Sequence, residues 1–104
     1  MRVVNLTEFA NLPAGTVFSH FEPAIVRGLF VKGETCQADG AWVQDFFETD
    51  VIPQQLLDDE RLTDEIGTCS RWGEMDVDAQ FMVYDDNDVA KMVELLTGKL
   101  KPTA

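Results

Sequence analysis

The apolar residues of this chain come in short β-branched and aromatic runs, and this pattern limits the fold more than any other feature. Thr16–Glu22 (TVFSHFE), Ala24–Lys32 (AIVRGLFVK), Ala41–Glu48 (AWVQDFFE) and Asp78–Tyr84 (DAQFMVY) each predict a strand. Pro13-Ala14-Gly15, Pro23, Lys32-Gly33-Glu34, Ala38-Asp39-Gly40 and Val51-Ile52-Pro53 punctuate them as turns and boundaries. Met1–Val4 and Thr68–Trp72 add two shorter candidates. Ala24–Lys32 is the most apolar and the best central strand, and Gly28 inside it predicts a bulge or a close backbone approach. Connections this short favour antiparallel pairing over right-handed βαβ crossovers.

Helical spacing appears in three places. Asn5 can cap a short helix through Leu6, Phe9 and Ala10, with Glu8 three positions after the cap. Gln54–Ile66 predicts a second helix, with Leu56, Leu57 and Ile66 as burial candidates and Gly67 as its C-terminal cap. Asp85-Asp86-Asn87-Asp88 supplies a turn and an N-cap for a third. There Val89, Met92, Val93 and Leu96 form one apolar stripe and Gly98 follows the last turn. That stripe is expected to bury on the sheet, with Trp42, Phe46 and Trp72 as further core candidates. The expected fold class is α+β: a curved antiparallel sheet of four to six short strands, a half-open barrel being one form of it, with the C-terminal amphipathic helix packed on one face. With 104 residues, no internal repeat and no linker, residues 1–104 read as one domain.

Charge is the second constraint. The net charge is −11 and it is unevenly placed. From Glu34 to Asp88 there are sixteen acidic and two basic residues, a net −14; the two ends together carry +3. Phosphate neutralisation needs lysines and arginines that this chain lacks, so direct binding to nucleic acid or to an anionic membrane is disfavoured. An acidic surface instead attracts a basic partner and speeds its arrival. Solubility alone is the plainer reading of the same charge. No apolar run approaches the roughly 20 residues of a membrane-spanning helix, and the N-terminal segment has no apolar signal stretch.

No cofactor is expected. Cys36 and Cys69 lie far apart without a C-x-x-C pattern, which points to free, mostly buried thiols in a cytoplasmic setting. His20, the only histidine, falls inside a strand and reads as a partly exposed strand residue rather than a catalytic base. The acidic run at Asp85 fails the calcium-loop test, because Ala90 and Lys91 stand where a ligand and a glycine are required. Glu74, Asp76 and Asp78 alternate, so an extended segment would place them on one face, where they could hold a hard cation.

Two segments carry a resemblance. Phe9–Phe18 (FANLPAGTVF) with Phe21-Glu22-Pro23 and Val31–Thr35 (VKGET), together with Phe81–Tyr84 running into Asp88–Val93 (DVAKMV), resembles the two ends of small uncharacterised tailed-phage and prophage proteins. The resemblance implies a phage or prophage origin and work in the bacterial host cytoplasm; it carries no functional residue across. With the charge pattern, it leads to a non-enzymatic interaction protein that inhibits a host nucleic-acid-handling or defence protein by presenting a DNA-like acidic surface. The proposed contact residues are Asp58, Asp59, Glu60, Asp64, Glu65, Glu74, Asp76, Asp78, Asp85, Asp86 and Asp88. A small metal-dependent hydrolase built on Glu74, Asp76 and Asp78, and a phage structural or assembly protein, are the alternatives. The sequence leaves the oligomeric state open.

Overall fold

The computed structural model describes residues 1–22, 24–38, 41–52, 66–73 and 77–100, with side chains described at all of these except 37, 38, 41–44 and 99. The elements run β1 (Arg2–Asn5), α1 (Leu6–Ala10), β2 (Val17–Glu22), β3 (Ile25–Ala38), β4 (Ala41–Ile52), β5 (Cys69–Arg71), β6 (Gln80–Tyr84) and α2 (Asp86–Leu100). All six strands form one antiparallel sheet in the order β1-β6-β2-β3-β4-β5, open at β1 and β5. The expected α+β class and antiparallel sheet are what the chain adopts. β2 to β5 form a meander, and β6 returns to insert between β1 and β2.

Local chemistry accounts for most boundaries. Asn5 caps α1, its side-chain oxygen accepting from the Glu8 amide at 2.8 Å. Gly15, with φ at +96°, takes the left-handed turn after Pro13 that brings the chain into β2. Gly28 sits at the bulge that the sequence anticipates. The β2–β3 register shifts beside it, its φ is +66°, and a Cβ there would stand 2.6 Å from the Phe30 ring and 2.9 Å from the Ile52 carbonyl oxygen.

Three boundaries differ from the sequence reading. Lys32-Gly33-Glu34 is not a turn, because β3 continues through it to Ala38. Gly33 is instead a close-approach residue: a Cβ on it would stand 3.0 Å from the Phe47 Cβ, and the β3–β4 register shift between Lys32 and Thr35 absorbs the irregularity. Val51-Ile52 is not a boundary either, since Ile52 still pairs with Leu29 in β4. β3 and β4 therefore reach 14 and 12 residues, longer than the short strands expected. Gly98 lies inside α2 rather than after it, because its backbone is not left-handed. The expected helix over 54–66 falls outside the described residues except for its last position. Ile66, expected to be buried, is exposed there, in a turn that Gly67 (φ +90°) completes.

The core lies on the concave face. Val4, Phe18, Phe30, Phe46, Phe81 and Val83 point inward from the sheet, and α1 closes over them with Leu6 and Phe9. The Phe9 ring lies 4.6 Å from Phe18, 4.9 Å from Phe46 and 4.2 Å from Phe81, centroid to centroid. Trp72, just beyond β5, stacks on Phe46 and comes within 5.9 Å of Phe81. β5 and β6 stand four strand spacings apart in the sheet, about 19 Å if it were flat. The ring contact between Trp72 and Phe81 thus measures how strongly the sheet curls. The core expectation holds for Phe46 and Trp72; the Trp42 side chain is outside the described set.

α2 begins with reciprocal hydrogen bonds, the Asp88 amide to the Asp85 carboxylate at 2.8 Å and the Asp85 amide to the Asp88 carboxylate at 3.1 Å. It packs by its first two turns, where Val89 and Met92 are half-buried against the end of β6. Fifteen residues span about 22 Å, so the helix carries the rest of its stripe past the sheet. Val93 and Leu96 are 56% and 66% exposed.

Candidate functional site

Of the eleven acidic residues that the sequence singles out, Asp58, Asp59, Glu60, Asp64, Glu65, Glu74 and Asp76 lie outside the described residues. Asp78 is exposed in the turn before β6. Asp85 and Asp86 are exposed, and Asp88 half-buried, at the other end of the same strand. The five residues of β6 hold the two groups about 17 Å apart. The structure therefore brings Asp85, Asp86 and Asp88 together and keeps Asp78 away from them. Within the first group, Asp88 is already occupied. The Met1 amino group lies 2.6 Å from its carboxylate and 3.6 Å from that of Asp85. The Met1 amine and the Asp85 amide hold the Asp88 carboxyl below its usual range, and Asp88 in turn raises the amine.

Three more acidic residues of the same stretch are buried rather than displayed: Asp45, Glu48 and Asp50. Asp45 is fully enclosed. It accepts from the Phe46 and Gly73 amides, each at 2.8 Å, and pairs with the Arg71 guanidinium. Burial pushes its carboxyl up; the hydrogen bonds from Gly73, Arg71 and Phe46 outweigh that and hold it below the usual range. Asp45 thus clamps the chain after β5 onto β4 and keeps Trp72 over the core. Asp45 breaks the apolar alternation of AWVQDFFE, and that break was the available sign that it points somewhere special.

Glu48 pairs with His20 across β3, Nε2 to carboxylate oxygen at 3.0 Å. The imidazole is half-buried and packs edge-on to Phe18 and Phe30, at 5.5 and 4.8 Å. His20 is accordingly a strand residue set into the aromatic core. Lys32 is buried too. Its Nζ donates to the Gly33 carbonyl at 3.1 Å and the Thr35 hydroxyl at 2.8 Å, and lies 5.9 Å from the Phe9 ring centre. Burial lowers its ammonium pKa.

Among the described residues no group of three or more His, Cys, Asp or Glu side chains could hold a metal ion. Of the alternating carboxylates, Glu74 and Asp76 lie outside that set. Cys36 is half-buried and Cys69 is exposed; both are free thiols. The expectation of buried thiols fails for Cys69 because β5 is an edge strand with all three residues exposed.

The concavity that these elements form lies where β1, β6 and α2 meet the turn after α1. Its volume is about 510 Å³ and it is open to solvent. Leu12, Pro13, Ala14, Val17, Val83 and Val89 supply apolar walls, while the Met1 amine, Arg2, Tyr84, Asp85 and Asp86 bring polar groups to it. The Arg2 guanidinium is paired with Glu8 at 2.8 Å, and the Tyr84 hydroxyl bonds the Ser19 hydroxyl at 2.8 Å. Aliphatic walls beside two exposed carboxylates suit a side chain with an apolar stem and a cationic head. Sequence reasoning found Asp85 and Asp86 by their charge but missed the walls, because residues 12–17, 83 and 89 meet only through the insertion of β6 beside β2.

No described helix is long and apolar enough to cross a membrane. Comparison of the chain with protein-family models, curated proteins and solved structures gives no match.

Proposed function

We propose that this chain is a non-enzymatic interaction protein that docks on a basic protein surface, with the cleft at the start of α2 as its anchoring point. The observation that carries this reading is the pairing of apolar walls with the exposed carboxylates of Asp85 and Asp86 in one open concavity. A lysine or arginine of the partner would lay its stem along Leu12, Pro13 and Val89 and place its head between the two aspartates. The −14 carried between Glu34 and Asp88 would steer the encounter. Basic grooves that bind nucleic acid are the surfaces such a charge matches best. The resemblance of the two chain ends to tailed-phage and prophage proteins makes a host protein of that kind the partner we favour, with inhibition as the outcome.

The test is capture of partners from bacterial lysate on the immobilised protein at rising salt, with Asp86→Lys alongside. Asp86 makes no cap hydrogen bond, so this variant changes the cleft and leaves the capping bonds between Asp85 and Asp88 in place. Captured protein that elutes as salt rises, and is reduced at least tenfold by Asp86→Lys, supports the proposal. Capture indifferent to both salt and Asp86→Lys refutes it.

A further inference from the structure

The second half of α2 carries an apolar seam that nothing in the described structure covers. Val89, Val93, Leu96 and Leu100 follow spacings of four, three and four residues, the a/d pattern by which helices pair. Val89 is half-buried against the sheet, while Val93, Leu96 and Leu100 are 56%, 66% and 83% exposed. One stripe is thus covered where the helix touches β6 and open where it projects beyond it.

Charge identifies the occupant. Two copies with a net charge of −11 repel each other over most of their surfaces. The stretch from Asp86 to Lys101 is the exception: Asp86, Asp88 and Glu94 are balanced by Lys91, Lys99 and Lys101. Along the sequence the balance is also polarised, with Asp86 and Asp88 early in the stretch and Lys99 and Lys101 late in it. Two such helices laid antiparallel about Leu96 set position 99, a lysine, beside Glu94 of the partner and oppose their dipoles. Laid parallel, they would stack like charge on like. Of the four positions flanking the seam, Ala90, Met92 and Thr97 are uncharged, and Lys99 faces the Glu94 side of the partner in the antiparallel arrangement.

We infer that the protein forms a two-fold dimer through an antiparallel pairing of α2 helices. In it Val93 of one copy lies beside Leu100 of the other, and the two Leu96 side chains meet near the axis. Three exposed apolar side chains per copy make a seam smaller than the roughly 1,200–2,000 Å² of a standard interface, so the dimer dissociates on dilution through the micromolar range.

Sedimentation velocity of the full chain from 5 to 500 micromolar tests the association. The expected result is a mass rising from 11.7 kDa toward twice that value, with Leu96→Glu holding the monomer mass at every concentration and the circular dichroism spectrum unchanged. A monomer throughout, or a dimer that persists in Leu96→Glu, overturns the inference. Direction is tested with Cys36 and Cys69 replaced by serine and single cysteines introduced as Val93→Cys and Leu100→Cys. Mixing the two variants under oxidation should give the 93–100 disulfide in preference to 100–100. A dominant 100–100 bridge overturns the antiparallel arrangement.

Discussion

Replacing Asp45 should unfasten β5, and the structure sets the size of the effect. Asp45→Ala removes the acceptor of two backbone amides, those of Phe46 and Gly73, each at 2.8 Å. An orphaned buried donor costs roughly 1–3 kcal/mol. Removing the carboxylate also relieves its own burial cost, so the net loss should be about 3 kcal/mol. In a domain of this length that corresponds to about 12–15 °C in Tm. Arg71 is the lesser partner, because its side chain is half exposed and water replaces the lost charge. Arg71→Ala should therefore destabilise clearly less than Asp45→Ala, with Asp45→Asn in between, since its amide oxygen still accepts. Urea titrations followed by tryptophan fluorescence and by far-ultraviolet circular dichroism measure all three variants. An Asp45→Ala protein within about 1 kcal/mol of the parent, or an Arg71→Ala protein as unstable as Asp45→Ala, would refute the assignment of the clamp to the two amides.

Acid should expose the same residue. The Asp45 carboxyl is held below its usual range in the fold, so on acidification the unfolded chain takes up this proton first. Its stabilisation is complete above the unfolded value of about 3.9 and is lost as pH falls through the lower folded value. Asp45→Asn should flatten that part of a stability–pH curve measured by urea midpoints. Gly28→Ala should cost at least about 2 kcal/mol, because the left-handed backbone strains any Cβ and this one would collide with Phe30 and the Ile52 carbonyl; a thermal midpoint equal to the parent's would count against the bulge geometry. Asp85→Ala should cost about 1 kcal/mol by removing the cap of α2, with hydrogen exchange speeding up first at the amides of residues 86–89.

What the sequence disclosed is local. The Asn5 cap, the Gly28 bulge, the Asp85 cap and the aromatic strands are each written in a few adjacent residues, and each appears where its chemistry places it. The reading failed where the deciding partner was distant. Gly33 looks like a turn residue until Phe47 is set opposite it, and the α2 stripe looks like core until the helix length is compared with the reach of β6. Asp45, Glu48 and Asp50 counted as surface charge in a sum over sequence. In the fold they are internal, and Asp45 and Glu48 hold partners that enter from β5 and β2. The cleft was legible only as two carboxylates, because its lining comes from three separated pieces of chain.

One small feature bears on how such a protein can change over time. The Gly67 amide donates to the Asp50 carbonyl at 2.6 Å, and the Asp50 amide to the Thr68 carbonyl at 2.9 Å. These bonds hold the described chain on the two sides of residues 53–65 together, next to the Thr49–Cys69 pair of β4 and β5. Lengthening a tethered insert costs only about 0.6 kcal/mol per doubling. Insertions between Ile52 and Ile66 should therefore cost the pairing of Asp50 with Gly67 and Thr68 little.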